Sequence, residues 1–352
     1  MTKAAEKSKA PAKAGDEIRF EAGAGAQAKA GVKAVVILGP TASGKSALAL
    51  QLARQLPCEI ISMDSAQIYR GMDIGTAKPS LGELAEIPHH LINIRDPSEA
   101  YSAAEFRDDC LKLAGEIAYR GALPVICGGT MMYYKALCAG LSPLPSTTPE
   151  IRKRVAQLAA SEGWEALHER LQKVDPPLYR RLSPRDRQRI SRALEIYLAT
   201  GRPMSSYLTK PGGACPLERL EFVLMPPPDR QELRVQIRRR FLRMLKEGLE
   251  EEVRKLKERE DLSLSLPSMR AVGYRQVWNW LDGQCTREEM IELAVIATAR
   301  LAKHQMTWLR GALGHPDAGV SRRVLHPGDA DNLRLMLEDI GRFSVQKNQS
   351  LP

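Results

Sequence analysis

Gly39, Gly44, Lys45 and Ser46 stand at the spacing G-x-x-x-x-G-K-S, after the apolar run Ala34–Leu38 and before leucines four apart at Leu48, Leu52 and Leu56. A buried strand, a glycine-rich loop and a helix in that order make a phosphate site. Glycines let backbone N–H groups curl around phosphate oxygens, and the helix N-terminus adds about half a positive charge. The loop Gly39, Pro40, Thr41, Ala42, Ser43, Gly44, Lys45, Ser46 would thus hold a phosphate group. Lys45 would reach the outer phosphate, and the Ser46 hydroxyl would ligate Mg²⁺. A chance glycine-rich turn is the bland alternative; the flanking strand and helix argue against it.

Such a loop needs a sheet behind it. CEIISMD (58–64) reads as a second strand with Asp64 at its carboxyl end, and HHLINI (89–94) as a third. Residues 103–119 carry a helical pattern, and LPVICGGT (123–130) is a further buried strand ending in a Gly-Gly-Thr turn. Strands alternating with helices predict an α/β fold, a parallel sheet flanked by helices, whose ligands sit outside the strand carboxyl ends. Asp64 and Thr130 then fall beside the phosphate loop.

Around this core, residues 1–32 are rich in Ala, Lys and Gly and read as a disordered tail. The first part of the core spans 33–142, a mostly helical, Arg-rich insertion spans 143–212, and 213–324 complete the core with long helices. Within the insertion, Ser183-Pro184 looks like a helix start, with Arg185, Arg189 and Arg192 on one face and Ile190, Leu194 and Tyr197 on another. That arginine row is either a solvated face or a phosphate-backbone contact. Asp229 with Glu232 resembles a capping box opening one helix through Lys257, with further helices at about 269–282 and 286–310. Residues 325–352 read as a loosely attached tail.

The 352 residues carry a net charge of +10, which favours a polyanionic partner. Six scattered cysteines without a C-x-x-C pair argue against a zinc module or a disulfide framework and for a reducing cytosol. No apolar run reaches 18 residues and no secretory h-region opens the chain, so we expect a cytoplasmic protein without a membrane span.

DSAQIYRGMDIGTAKP (64–79) is distinctive. Together with GPTASGKS (39–46), GGTMMYY (128–134), SMRAVGYRQVW (268–278) and LAKHQMTWLRG (301–311), it makes residues 34–314 resemble the tRNA dimethylallyltransferase family, bacterial type. The resemblance implies a P-loop NTPase-like fold that prenylates tRNA instead of phosphorylating. The phosphate loop would hold the diphosphate of dimethylallyl diphosphate with Mg²⁺ on Ser46, and the acceptor would be N6 of adenosine 37, next to the anticodon.

By the same resemblance, Asp64 is the base toward N6, while Thr130 and Arg240 face the departing diphosphate. A magnesium-shell acid is the other reading of Asp64, a helix-capping turn residue that of Thr130, and a solvated charge that of Arg240. Residues implied to line the tRNA are Asp64, Ser65, Ala66, Gln67, Thr130 and Arg152; Gln188, Arg189, Ile190, Ser191 and Arg192; Arg270, Ala271, Val272, Gly273, Tyr274 and Arg275; and Lys303, His304, Gln305, Met306, Thr307, Trp308, Leu309 and Arg310. Where the family often has arginine, this chain has Gln236 and His304. The enzyme is expected to act as a monomer. Two competing classes are a P-loop kinase, which the basic insertion and the Asp64–Gln67 corner oppose, and an RNA-binding module with a vestigial loop. The latter leaves Lys45, Ser46, Asp64 and Thr130 without a purpose.

Overall fold

The structure, a computed structural model, describes residues 31–208, 215–227, 229, 231–311, 313, 314 and 320–345. In chain order the elements are β1 (Val32–Leu38), α1 (Lys45–Ala53), β2 (Cys58–Met63), α2 (Leu81–Glu86), β3 (His89–His90), α3 (Ala103–Tyr119), β4 (Leu123–Gly128) and α4 (Met131–Ala139). There follow α5 (Pro149–Val174), α6 (Pro176–Arg181), α7 (Arg187–Thr200), β5 (Leu217–Leu224), α8 (Gln231–Glu247), α9 (Leu249–Lys257), α10 (Tyr274–Leu281), α11 (Arg287–Arg310), β6 (Ser321–Leu325) and α12 (Asn332–Val345). Contacts divide the chain into two compact units. One takes the described residues of Met1–Tyr101, Asp108–Met131 and Pro216–Pro352, the other Ser102–Arg107 and Met132–Cys215.

The first unit is built on a six-stranded sheet in the order β3-β2-β4-β1-β5-β6, every pair parallel. Its central strands are apolar runs because both faces are covered. Val35, Ile37, Val125 and Phe222 pack with Leu48 and Leu52 of α1 and Met336, Ile340 and Phe343 of α12. Register sets the site. Leu38 pairs with Gly128, Gly128 with Met63, and Leu38 with Val223, so four strands end in one row and the loops after them start side by side.

Three expectations for this unit change. The expected loose tail is folded over its described residues, 325–345, because Leu325 ends β6, which pairs with β5, and α12 fills the core, its inward residues Met336, Ile340 and Phe343 following a helical period. The long helix is broken at Gly248, whose φ of 108° is open to glycine, giving α8 and α9. The strand expected at 89–94 ends after His90, since Leu91 (φ 61°) and Asn93 (φ 59°) leave the extended region. The expectation for residues 1–32 lies outside the described residues, except that Val32 already opens β1.

The second unit is helical, as its patterns predict, but is drawn from 102–107 and 132–215 instead of 143–212. Val155, Leu167, Leu171, Leu178, Ile190 and Leu194 form its core. α7 starts at Arg187 and not at Ser183-Pro184, because the Asp186 carboxylate accepts from the Arg189 N–H at 3.3 Å and closes the helix end there. Arg185 therefore precedes the helix.

Candidate active site

The phosphate loop leaves β1 at Leu38 and enters α1 through Gly44 in the left-handed region (φ 85°), a conformation costly for a side chain. Ala42 shares that region (φ 63°), and Ser43 N–H donates back to the Pro40 carbonyl at 3.3 Å. The Ser43 hydroxyl is buried and has no hydrogen-bond partner among the described residues, as a loop awaiting an anion would leave it. Lys45 Nζ lies 3.4 Å from the Pro40 carbonyl. Burial lowers the Lys45 pKa, Cys127 and Asp64 oppose that shift, and Arg240 adds to it.

Asp64 follows β2 directly. Its Oδ1 accepts from the N–H groups of Ala66 (2.9 Å) and Gln67 (3.4 Å), an Asx turn that fixes the carboxylate and leaves Oδ2 without a hydrogen bond among the described residues. Thr130 follows β4; its Oγ1 accepts from Ser65 N–H at 3.0 Å. The glycines before it are needed for close approach: a Cβ on Gly128 would sit 2.1 Å from the Met63 carbonyl oxygen.

Arg240 is the inward member of its arginine run. Arg238 pairs with Glu292 and Arg239 is exposed, whereas Arg240 is half-buried and lines one cavity with Thr41 and Asp64. Burial pushes its pKa down, Asp64 counters that, and Arg243 adds to it. A guanidinium keeps its charge regardless. Lys45 and Arg240 are thus two desolvated cations whose charge an arriving anion would stabilise. Apolar Phe241, Val272 and Tyr274 complete the cavity.

Several residues implied to line the tRNA are occupied otherwise. Ile190, Met306, Leu309 and Tyr274 are buried in cores, and Tyr274 donates its hydroxyl to Glu252 at 2.5 Å. Gln67 accepts from Ser62 Oγ and donates to the Ala77 carbonyl (2.9 and 3.1 Å), tying its loop to the sheet. Gln305 is buried too, accepting from Thr41 N–H and donating to the Gly129 carbonyl, each at 2.8 Å. In the second unit Arg192 is half-buried and donates to Thr147 Oγ1 and the Pro145 carbonyl (both 2.9 Å), while the exposed Arg152 donates to the Thr147 carbonyl at 3.0 Å. Their side chains brace a proline-rich segment.

Outward-facing are Ser65, Gln188, Arg189, Arg270, Arg275, Lys303, His304, Thr307 and Arg310. Glu252 is a residue that sequence reasoning missed. Its carboxylate accepts from the N–H groups of Asp73 (2.8 Å), Ile74 (2.8 Å) and Gly75 (3.1 Å), holding the 64–79 segment against the cavity. Within Glu250–Glu252 it is set apart by those three N–H partners, since Glu250 is half-buried too, and no local pattern reveals them.

Comparison with known proteins agrees with this arrangement. The family model for IPP transferase matches residues 67–312. A full-length tRNA isopentenylpyrophosphate transferase from Bacillus halodurans is 35% identical and superposes with a TM-score of 0.61, covering 89% of this chain and 96% of that one. The tRNA delta(2)-isopentenylpyrophosphate transferase of Staphylococcus epidermidis is 31% identical (TM-score 0.60, covering 88% and 97%). A eukaryotic dimethylallyltransferase acting on tRNA is 27% identical with a TM-score of 0.73, covering 88% of this chain and 77% of that one. Matched over most of its length in sequence and in fold, the chain belongs to the IPP transferase family.

Proposed function

We propose that the chain transfers a dimethylallyl group from dimethylallyl diphosphate to N6 of adenosine 37 in tRNA, releasing diphosphate. The carrying observation is that a fixed carboxylate, Asp64, and a desolvated cation, Arg240, share one cavity with the phosphate-loop residue Thr41. Exocyclic N6 is a poor nucleophile because its lone pair is delocalised into the ring. Asp64 would accept its proton as the lone pair forms the N–C bond. Simultaneously the allylic C–O bond breaks and its electron pair leaves with the diphosphate, where Lys45, Arg240 and the loop N–H groups oppose the growing charge. Phe241 and the half-buried Val272 would offer apolar surface for the prenyl chain and the base, which must leave the loop stack to react.

Mg²⁺ fits the donors present. Ser46 is exposed at the loop, and among the described residues no group of three His, Cys, Asp or Glu forms a cage. Ligands would therefore come from the Ser46 hydroxyl and the substrate's phosphate oxygens, this ion's usual arrangement. When bound it would neutralise charge on the leaving diphosphate. No helix of the described residues is long and apolar enough to cross a membrane, and all six cysteines are free, which supports a cytosolic setting; we expect a monomer.

Labelled dimethylallyl diphosphate, Mg²⁺ and unmodified tRNA test the reading: label should enter tRNA and should vanish with a transcript carrying guanosine at position 37. Release of γ-phosphate from ATP, with no label in tRNA, would favour the kinase.

The arginine row divides accordingly. Arg189→Ala, at an exposed position, should flatten the slope of log K against log salt for tRNA binding by about one unit. Arg192→Ala should leave the slope alone and cost roughly 1–3 kcal/mol of stability, by removing the Pro145 carbonyl's donor and one of the Thr147 hydroxyl's partners. Salt titrations and denaturant melts of the two variants check this; equal slopes for Arg189→Ala and wild type would return Arg189 to a solvated face.

A further inference from the structure

We propose that Gln305 is a positioning residue for prenyl transfer, whose carboxamide sets the phosphate loop against the Gly129–Thr130 turn; this rests on the function proposed above. Gln305 lies on the inward face of α11 among Ala302, Met306 and Leu309, a stripe that is otherwise apolar, and it is only 8% exposed. A buried primary amide in that company is retained for its hydrogen bonds. Both ends are used: Oε1 accepts from Thr41 N–H at 2.8 Å and Nε2 donates to the Gly129 carbonyl at 2.8 Å. Only one orientation of the amide satisfies a donor on one side and an acceptor on the other, so its sense is fixed by chemistry.

Three distant pieces of chain meet here. A Cβ on Gly129 would lie 2.6 Å from Gln305 Nε2 and 2.9 Å from the Gly39 carbonyl, so the glycine is what admits the amide. Thr41 opens the loop that would hold the donor, and Gly129 precedes Thr130, implied to face the leaving group. One side chain therefore fixes the distance between two halves of the reaction centre, to a tolerance that transfer chemistry demands. Gln305 does not line the cavity that Asp64 and Arg240 share. The outer face of the same helix end carries Lys303, His304 and Arg310, so an RNA-contact role would belong to those residues.

The test uses the full chain with dimethylallyl diphosphate and tRNA. Gln305→Met keeps length and apolar packing but removes both hydrogen bonds. Its kcat is expected to fall at least about tenfold with a higher KM for dimethylallyl diphosphate, while the Kd for tRNA stays within about twofold. Gln305→Glu keeps the acceptor for Thr41 but sets a carboxylate oxygen against the Gly129 carbonyl, so its kcat should also fall at least about tenfold. Wild-type kcat and diphosphate KM in both variants would overturn the proposal, as would a loss confined to tRNA affinity. Should the Met variant not fold, the Glu variant decides alone: unchanged kcat refutes the proposal. Wild-type protein is the control, because its failure to label tRNA would strike the proposed function and not Gln305.

Discussion

Replacing Asp64 with alanine is expected to lower kcat by about 10²- to 10⁴-fold, the range for loss of a general base, and to leave affinity for dimethylallyl diphosphate nearly unchanged. The Asx turn that fixes the carboxylate is internal to residues 64–67, so its loss disturbs a corner and not the core. In the proposed reaction the carboxylate would face the acceptor, and its charge would only repel a diphosphate. If Asp64 instead belongs to the magnesium shell, the variant loses metal and donor affinity together, and excess Mg²⁺ restores part of the rate. Single-turnover kinetics across a Mg²⁺ titration separate the two. Restoration by metal would rule out the base assignment.

Arg240→Ala should behave differently, lowering kcat by about 10²- to 10³-fold and weakening the donor, because its partner in the proposed reaction is the leaving group. Asp64 moderates the electrostatic cost of this half-buried cation, and no hydrogen bond to a described residue holds it, so removal need not unravel α8. Arg239→Ala, one position away but exposed, serves as the control and should leave donor parameters near wild type. A rise in KM alone for Arg240→Ala would mean uniform binding with no share in the transition state. An identical response from Arg239→Ala would dissolve the distinction between the neighbours.

The phosphate loop was legible because its chemistry is local: glycines, a lysine and a serine at fixed spacing between a buried strand and a helix. Asp64 and Thr130 were legible as strand-end residues, since parallel sheets put such positions at one edge. Gln305 is implied to line the tRNA by resemblance alone, whereas the helical period places it with Ala302, Met306 and Leu309. A polar residue on an apolar stripe was the available signal. Arg192 carried no comparable warning, because its partners, Pro145 and Thr147, are more than forty positions back and only folding brings them near. β6 was hidden for a related reason. Its SRRVL sequence looks too polar for a sheet, yet Arg322 bonds the fully buried Glu221 of β5 at 2.6 and 2.8 Å. Such an ion pair can sit inside because each charge meets its counterpart.

The late position of β6 and α12 in the chain has a consequence for synthesis. A ribosome releases the phosphate loop early and the residues that cover β5 last among the described elements. Until Ser321–Val345 emerge, β5 is an open edge and the face carrying Leu220, Phe222 and Leu224 lacks Met336, Ile340 and Phe343. The nascent first unit therefore waits, nearly complete but unsealed, for its final two elements. A premature stop codon near residue 320 would spare every proposed catalytic side chain and still yield a chain prone to edge pairing and aggregation.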